Sequence, residues 1–213
     1  IISLINQYKI GGLIFMQGSP TKQAQLCNYY QSISKVPMMI AMDAEWGLAM
    51  RLDSTVKFPR QMTLGAISDD SLVYRMGVEV ARQCKRLGMQ INFAPDVDIN
   101  NNALNPVIGN RSFGEDKYNV TRKALMYMKG MQDNGVIACA KHFPGHGDVE
   151  VDSHLDLPVI NKSMAQLDST ELYPFRKLVD EGVGCMMIGH LFIPSIDDRS
   201  NRPTSLSSKN IQG

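Results

Sequence analysis

Five short apolar runs, each left by polar or titratable side chains, set the tightest limit on what this chain can fold into. They are Leu13-Ile14-Phe15, Met38 to Met42, Ile91 to Ala94, Val136 to Ala140 and Cys185 to Ile188. None alternates apolar with polar residues, so each reads as a strand covered on both faces. Helix signals fill the gaps. Thr21 to Ser34 follows the turn at Ser19-Pro20, and Ser68-Asp69-Asp70 caps a helix running to Leu87. Glu115-Asp116 opens another that lasts to about Gln132, and Ser163 to Glu181 reads as one helix interrupted at Pro174. Gly88, Gly135 and Gly182 stand just past three of these ends, where a left-handed residue closes a helix. Residues 1–9 look like the end of an amphipathic helix, residues 44–67 look irregular, and Ser207-Ser208 starts a further helix.

Strand and helix in alternation, with apolar strands, predict a parallel sheet covered by helices. Asp43, Asp96, Asp98, Lys141, His142 and His190 all fall just after a strand, where α/β enzymes carry their chemistry. No Gly-x-Gly-x-x-Gly follows the first strand and no phosphate loop is present, which counts against nucleotide-binding folds. The long excursions after the strands favour a (β/α)₈ TIM-barrel-type domain. Five strands are too few to close such a barrel. The expectation is a partial barrel of about five βα units, a piece of a longer domain with at least one strand before residue 1 and two after residue 213. All five strands, near residues 11–15, 38–43, 91–94, 136–141 and 185–190, should be parallel, with their C-terminal ends on one edge.

Composition removes several classes of function. The formal net charge is +1, which gives no reason to expect nucleic acid or a polybasic membrane contact. No apolar run is long enough to span a bilayer. Cys27, Cys84, Cys139 and Cys185 show no close pairing, and two lie in strand-like runs, so buried free thiols are expected rather than a disulfide framework.

The stretch from Lys141 to His154 holds three of the four histidines. It reads Lys-His-Phe-Pro-Gly-His-Gly-Asp-Val-Glu-Val-Asp-Ser-His and follows the fourth strand directly. Lys141 and His142 are adjacent, so on a regular strand they would point to opposite faces. For both to reach one ligand the backbone must turn between them, and Phe143-Pro144, with a cis bond, can supply a turn. Asp152 and His154 are two apart, which in an extended segment puts them on one side. A carboxylate so placed fixes the tautomer of a histidine and raises its pKa, the arrangement of a general acid/base. The bland reading of that pair is a turn-capping aspartate beside a solvated histidine. A metal cluster of His142, His146, Asp148, Asp152 and His154 is a further reading, but Pro144, Gly145 and Gly147 argue against the helix that would pair His142 with His146.

Asp43-Ala44-Glu45-Trp46-Gly47 ends the second strand. Carboxylates beside an exposed aromatic suit sugar binding, while a buried Trp46 would be core. Arg51 and Arg111 are candidate hydrogen-bond forks for the same cleft.

Taken together, these motifs resemble glycoside hydrolase family 3, in particular its bacterial β-N-acetylglucosaminidases. The family hallmark stands as Lys141 to Gly147, then Asp152-Ser153-His154, then Leu157-Pro158. Gly11 to Phe15, Ile108 to Phe113 and Pro203 to Ser207 are similar to further landmarks, so the resemblance covers the whole chain. It implies a retaining exo-β-N-acetylhexosaminidase acting on a peptidoglycan fragment, a chitin oligosaccharide or another glycan. His154, held by Asp152, would be the general acid/base. Asp43, Arg51, Arg111, Lys141 and His142 would bind the non-reducing N-acetylglucosamine. The nucleophile would be an aspartate after the seventh strand, beyond this chain. No cofactor or metal is implied, the partner is a carbohydrate, and the location would be the bacterial cytoplasm or periplasm. A metal-dependent barrel hydrolase and a β-glucosidase-like member of the family are the alternatives. One departure is plain: Glu45-Trp46-Gly47-Leu48 stands where the family has Glu-Gly-Gly-Arg.

Overall fold

A computed structural model describes residues 1–152 and 156–212. Its sheet holds five strands: β1 (Gly12–Ile14), β2 (Met39–Met42), β3 (Ile91–Asn92), β4 (Ile137–Phe143) and β5 (Cys185–Ile188). They lie side by side in chain order, and every neighbouring pair is parallel. Leu13 stands opposite Ile40, Ala41 opposite Ile91, Asn92 opposite Ala138, and Cys139 opposite Cys185. Parallel neighbours in sequence order, crossing over through helices, make half of a barrel. The strands match the predicted set, and their C-terminal ends share one edge.

Helix α1 (Ile2–Tyr8) precedes the sheet and α2 (Pro20–Ile33) joins β1 to β2. Helices α3 (Gln61–Gly65) and α4 (Ser71–Arg86) join β2 to β3, and α5 (Lys117–Gln132) joins β3 to β4. Helices α6 (Met164–Ser169) and α7 (Leu172–Asp180) join β4 to β5, and α8 (Ser208–Gln212) follows β5. Residues 44–67, expected to be irregular, contain α3 and a 3₁₀ turn at Leu48–Met50. The break expected at Pro174 falls instead at Thr170, between α6 and α7. Pro174 sits in the first turn of α7, where a missing N–H leaves no helical bond unmade.

The core lies between the sheet and the helix layer. Val73, Met76, Val80 and Cys84 bury one face of α4, at the three- and four-residue spacing that an amphipathic helix requires. Val120, Ala124, Tyr127, Met128 and Met131 do the same on α5. Each such fully buried apolar side chain contributes roughly 1.5–3 kcal/mol. The two helices touch backbone to backbone: a Cβ on Gly130 would lie 2.2 Å from the Tyr74 carbonyl oxygen. All four cysteines are free thiols, and Cys27, Cys84 and Cys139 are buried, as expected. Among the described residues, no helix is long and apolar enough to cross a membrane.

Two features of the fold aim the sheet's C-terminal edge. Asn92 in β3 accepts from Ala44 N–H at 3.0 Å and donates to the Ala44 carbonyl at 3.2 Å, and Tyr127 Oη donates to the same carbonyl at 3.1 Å. This clamps the backbone between Asp43 and Glu45. Strand β4 runs past its predicted end to Phe143, because the chain after β3 keeps pairing with it. Asp96 bridges to Lys141, and Val97 N–H donates to the Lys141 carbonyl at 2.8 Å. A smaller apolar cluster of Val149, Ile160, Leu167, Leu191 and Ile193 seats both roots of the loop after β4. Gly147 lets that loop approach the chain closely: a Cβ there would lie 1.7 Å from the Ile99 carbonyl oxygen.

Candidate functional site

A pocket with a cavity of about 410 Å³ opens at the C-terminal edge of the sheet. That lies within the ~300–1,000 Å³ span of small-molecule sites. Asp43, Arg51, Arg111, Lys141 and His142, all singled out from the sequence, line it together. Glu45, His146 and His190 join them, with Met50, Val107, Met187 and Ile188 as an apolar wall.

Lys141 is the hub. It is 1% exposed, and its Nζ lies 2.8 Å from Asp43 Oδ1 and 2.8 Å from Glu45 Oε1. The 3₁₀ turn at Leu48–Met50 delivers Arg51, whose Nη2 donates to Asp43 Oδ2 at 3.0 Å. A second 3₁₀ turn, Gly109–Arg111, delivers Arg111. Its Nε and Nη2 fork onto the two oxygens of Glu45 at 3.0 and 2.7 Å, and its Nη1 donates to the Val107 carbonyl at 3.2 Å. Planar guanidinium against carboxylate is the strong, directional form of an ion pair.

The peptide between Lys141 and His142 is cis, as is Phe143–Pro144. The turn expected at Phe143-Pro144 is therefore accompanied by one between the two residues themselves, and both side chains reach the pocket. The ring of His142 lies between Asp98, whose Oδ2 is 2.7 Å from Nδ1, and Arg111, whose Nη2 is 3.3 Å from Nε2.

The electrostatics follow from these contacts. Burial alone would raise the carboxyls of Asp43 and Glu45, but Lys141 and the arginines outweigh it. Asp43 is lowered, and Glu45 is held at about 2. Burial works against the charge on Lys141, yet Glu45 and Asp43 raise its pKa above the ordinary lysine value. Burial, Asp98 and Glu45 push the Asp96 carboxyl well up against the pull of Arg111. Three cations, Arg51, Arg111 and Lys141, are thus interleaved with the carboxylates of Asp43 and Glu45. The pocket offers many hydrogen-bond donors and acceptors, which suits a hydroxyl-rich ligand.

The fold corrects one sequence reading and completes others. Trp46 does not line the pocket; it is 8% exposed, with the Arg60 guanidinium 3.6 Å from its ring centroid. The aromatic is core, because β2 ends by turning Asp43 and Glu45 inward. Leu48, in place of the family's arginine, is buried in the main core. Asp152 is half-buried and outside the pocket wall, its carbonyl accepting from Asp156 N–H at 3.1 Å. His154 lies outside the described residues. Asp148 pairs with Lys162 at 2.6 Å rather than converging with His142 and His146. Among the described residues, the ligand atoms that do converge are those of Asp96, Asp98 and His142, within 4.8 Å of one another. There the 2.7 Å Asp98–His142 contact is a hydrogen bond, and Arg111 supplies the positive charge 3.6 Å from Asp96.

Sequence reasoning marked Asp96 and Asp98 only as strand-exit residues, weighed His146 only for a metal cluster, and named Glu45 only as a carboxylate beside Trp46. The signal was present in the spacing. Asp43-Ala44-Glu45 and Asp96-Val97-Asp98 each place two carboxylates two apart after a strand, hence on one side of an extended segment.

Comparison with known proteins gives a consistent set of relatives. The model of the glycosyl hydrolase family 3 N terminal domain matches residues 1–213. The chain is 34% identical over 209 residues to beta-hexosaminidase A of Pseudoalteromonas piscicida, covering 92% of this chain and 35% of the relative. It superposes on a family 3 beta-N-acetylglucosaminidase from Paenibacillus sp. str. FPU-7 with a TM-score of 0.93 and 38% identity, over 100% of this chain and 42% of that one. NagZ from Neisseria gonorrhoeae, in complex with N-trifluoroacetyl-D-glucosamine, gives a TM-score of 0.86 at 31% identity, over 95% of this chain and 62% of that one. The chain spans about a third of the length of the Pseudoalteromonas relative, and 55% of the beta-hexosaminidase of Thiobacillus denitrificans.

Proposed function

This chain belongs to glycosyl hydrolase family 3, and on that premise we propose that its pocket binds the non-reducing N-acetylglucosamine of a β-linked saccharide, within a retaining exo-β-N-acetylhexosaminidase. The observation that carries this reading is the convergence of Asp43, Arg51, Arg111, Lys141 and His142 around one cavity. Sugar hydroxyls both donate and accept. Carboxylates with fixed orientation take their protons, and guanidinium and ammonium groups serve their lone pairs. Asp43 is the natural acceptor: its side chain is 19% exposed, against 0% for Glu45 behind it.

The same geometry says which groups do not move the proton. Asp43 and Glu45 are lowered carboxylates between cations, poor donors near neutral pH. Asp96 is fully buried behind Arg111. The proton for the leaving group is assigned to His154 on the resemblance of Asp152-Ser153-His154 to the family motif, with Asp152 orienting it and stabilising the imidazolium. The nucleophile is assigned to an aspartate outside these residues. In the first step that carboxylate attacks the anomeric carbon while His154 protonates the departing oxygen. In the second, His154 takes a proton from water, which displaces the carboxylate.

The test is hydrolysis by the full-length protein of aryl β-N-acetylglucosaminide and aryl β-glucoside, with and without a chelator. Selective cleavage of the first, unaffected by chelation, is expected. Equal cleavage of the glucoside would favour a β-glucosidase-like member, and loss of activity with the chelator a metal-dependent hydrolase. Replacing His154 by Ala should lower turnover of substrates with poor leaving groups by roughly 10²–10⁴. Aryl substrates should show a burst of phenol followed by slow turnover, because the same histidine activates water in the second step.

A further inference from the structure

We infer that Asp98 is a positioning residue that holds His142 in the Nδ1–H tautomer, so that Nε2 is the acceptor that receives Arg111 at the pocket wall. Asp98 is 1% exposed, and each of its oxygens is already spoken for. Oδ2 lies 2.7 Å from His142 Nδ1 and 3.2 Å from His142 N, and Oδ1 accepts from His146 N–H at 2.7 Å. The pairing of Asp96 with Lys141 sets this register: it lays the segment after β3 alongside the end of β4, so that Asp98 falls opposite His142. The bond from Val97 N–H to the Lys141 carbonyl, 2.8 Å, fixes the backbone between the two aspartates.

The proton on His142 is located from both ends of the ring. An ionised carboxylate only accepts, so Nδ1 facing Asp98 carries the hydrogen. A guanidinium only donates, so Nε2 facing Arg111 Nη2 at 3.3 Å carries the lone pair. The charges around the ring agree. Burial, Lys141 and Arg111 lower the His142 pKa against the pull of Asp98, which keeps the ring neutral. Burial opposes the charge on Asp98, but His142 and His146 hold its carboxyl below the ordinary value. The neighbouring Asp96 stands 4.0 Å from Nδ1, too far to compete with Asp98. Nε2 thus accepts from Arg111, and Asp98, acting through the ring, holds that guanidinium where it can donate to a ligand hydroxyl. The identity of that ligand rests on the function proposed above; the tautomer does not.

Full-length protein labelled with ¹⁵N-histidine tests the tautomer directly. In the ligand-free wild type at neutral pH, His142 should show a protonated Nδ1 and an unprotonated Nε2. The opposite tautomer or an imidazolium overturns the inference, whether or not any variant folds. Asp98→Asn offers one acceptor oxygen where the carboxylate offers two, so its amide must face an N–H of His142 or of His146. This variant should show a mixed tautomer and bind N-acetylglucosamine at least about tenfold more weakly, the scale of losses when a group that orients a histidine is removed. In a His142→Ala background the same change should cost no further affinity, since Asp98 acts through His142. An equal loss in both backgrounds would make Asp98 merely structural and defeat the proposal. If the wild type binds no N-acetylglucosamine, the sugar assignment fails while the tautomer measurement still decides the role of Asp98.

Discussion

Glu45 and Glu79 make the same contact in two different solvents. Each grips an arginine with both oxygens, Glu45 taking Arg111 at 2.7 and 3.0 Å, and Glu79 taking Arg82 at 2.6 and 2.7 Å. Each is held at about 2. Yet the Glu45 side chain is 0% exposed on the pocket floor, whereas Glu79 is 36% exposed on the outside of α4. For Glu79 the hydrogen bonds from Arg82 and Gln83 act with little opposition. For Glu45 burial pushes the other way, and only Lys141 and Arg111 together overcome it. An equal pKa thus conceals different energetics. A surface pair can be removed and water takes its place, while a buried pair leaves an uncompensated charge.

The sharpest way to break this comparison is Lys141→Met. It leaves the buried Glu45 with Arg111 alone and frees Asp43 of its nearest cation, so urea unfolding should show a loss of about 3–5 kcal/mol. A loss under ~1 kcal/mol, the range of an exposed pair, would erase the distinction between the two sites. Next in size is Arg111→Ala, which should weaken binding of N-acetylglucosamine by about 2–3 kcal/mol in calorimetric titration, because ligand hydroxyls and Glu45 lose their donor. Unchanged affinity would make Arg111 a purely structural residue.

A pH titration of stability sharpens the contrast further. Both glutamates are lowered from 4.5 to about 2 on folding. Each therefore contributes stability that is fully present above the unfolded value and is lost as pH falls through about 2. Replacing either by Gln should flatten the acid limb of the unfolding free energy. At roughly 1 M salt, where the Debye length is ~3 Å, the Glu79 contribution should vanish and the Glu45 contribution should persist. The smallest effect is expected from Arg82→Ala, whose urea-unfolding midpoint should stay close to that of the wild type, with no change in hydrolysis.

Much of this molecule was legible without coordinates. The apolar runs located all five strands, and the absence of alternation within them called for the parallel order that the sheet has. Asp43, Arg51, Arg111, Lys141 and His142 were each identified, and all line one pocket. The errors were local contests between two allowed outcomes. Pro174 can interrupt a helix or start one; the chain leaves helical geometry at Thr170, with φ −126° and ψ −78°, so the proline falls in the first turn of α7. Trp46 could face solvent or core, and the backbone clamp on Ala44 turned its neighbours inward and left the ring under Arg60.

What the sequence determined by itself is therefore the periodic and the contiguous: strand identity, helix faces, and the polar residues stationed at strand exits. These depend on side-chain spacing along one segment, which the chain carries wherever it goes. Only the tertiary structure decided which of those residues answer one another. Arg111 meets Glu45 across 66 positions, Lys141 meets Asp43 across 98, and Asp98 meets His142 across 44. Parallel strands bring distant exits side by side, and the burial of Glu45, Asp98 and Lys141 then makes their pairings obligatory, since those charges have no water to replace a partner.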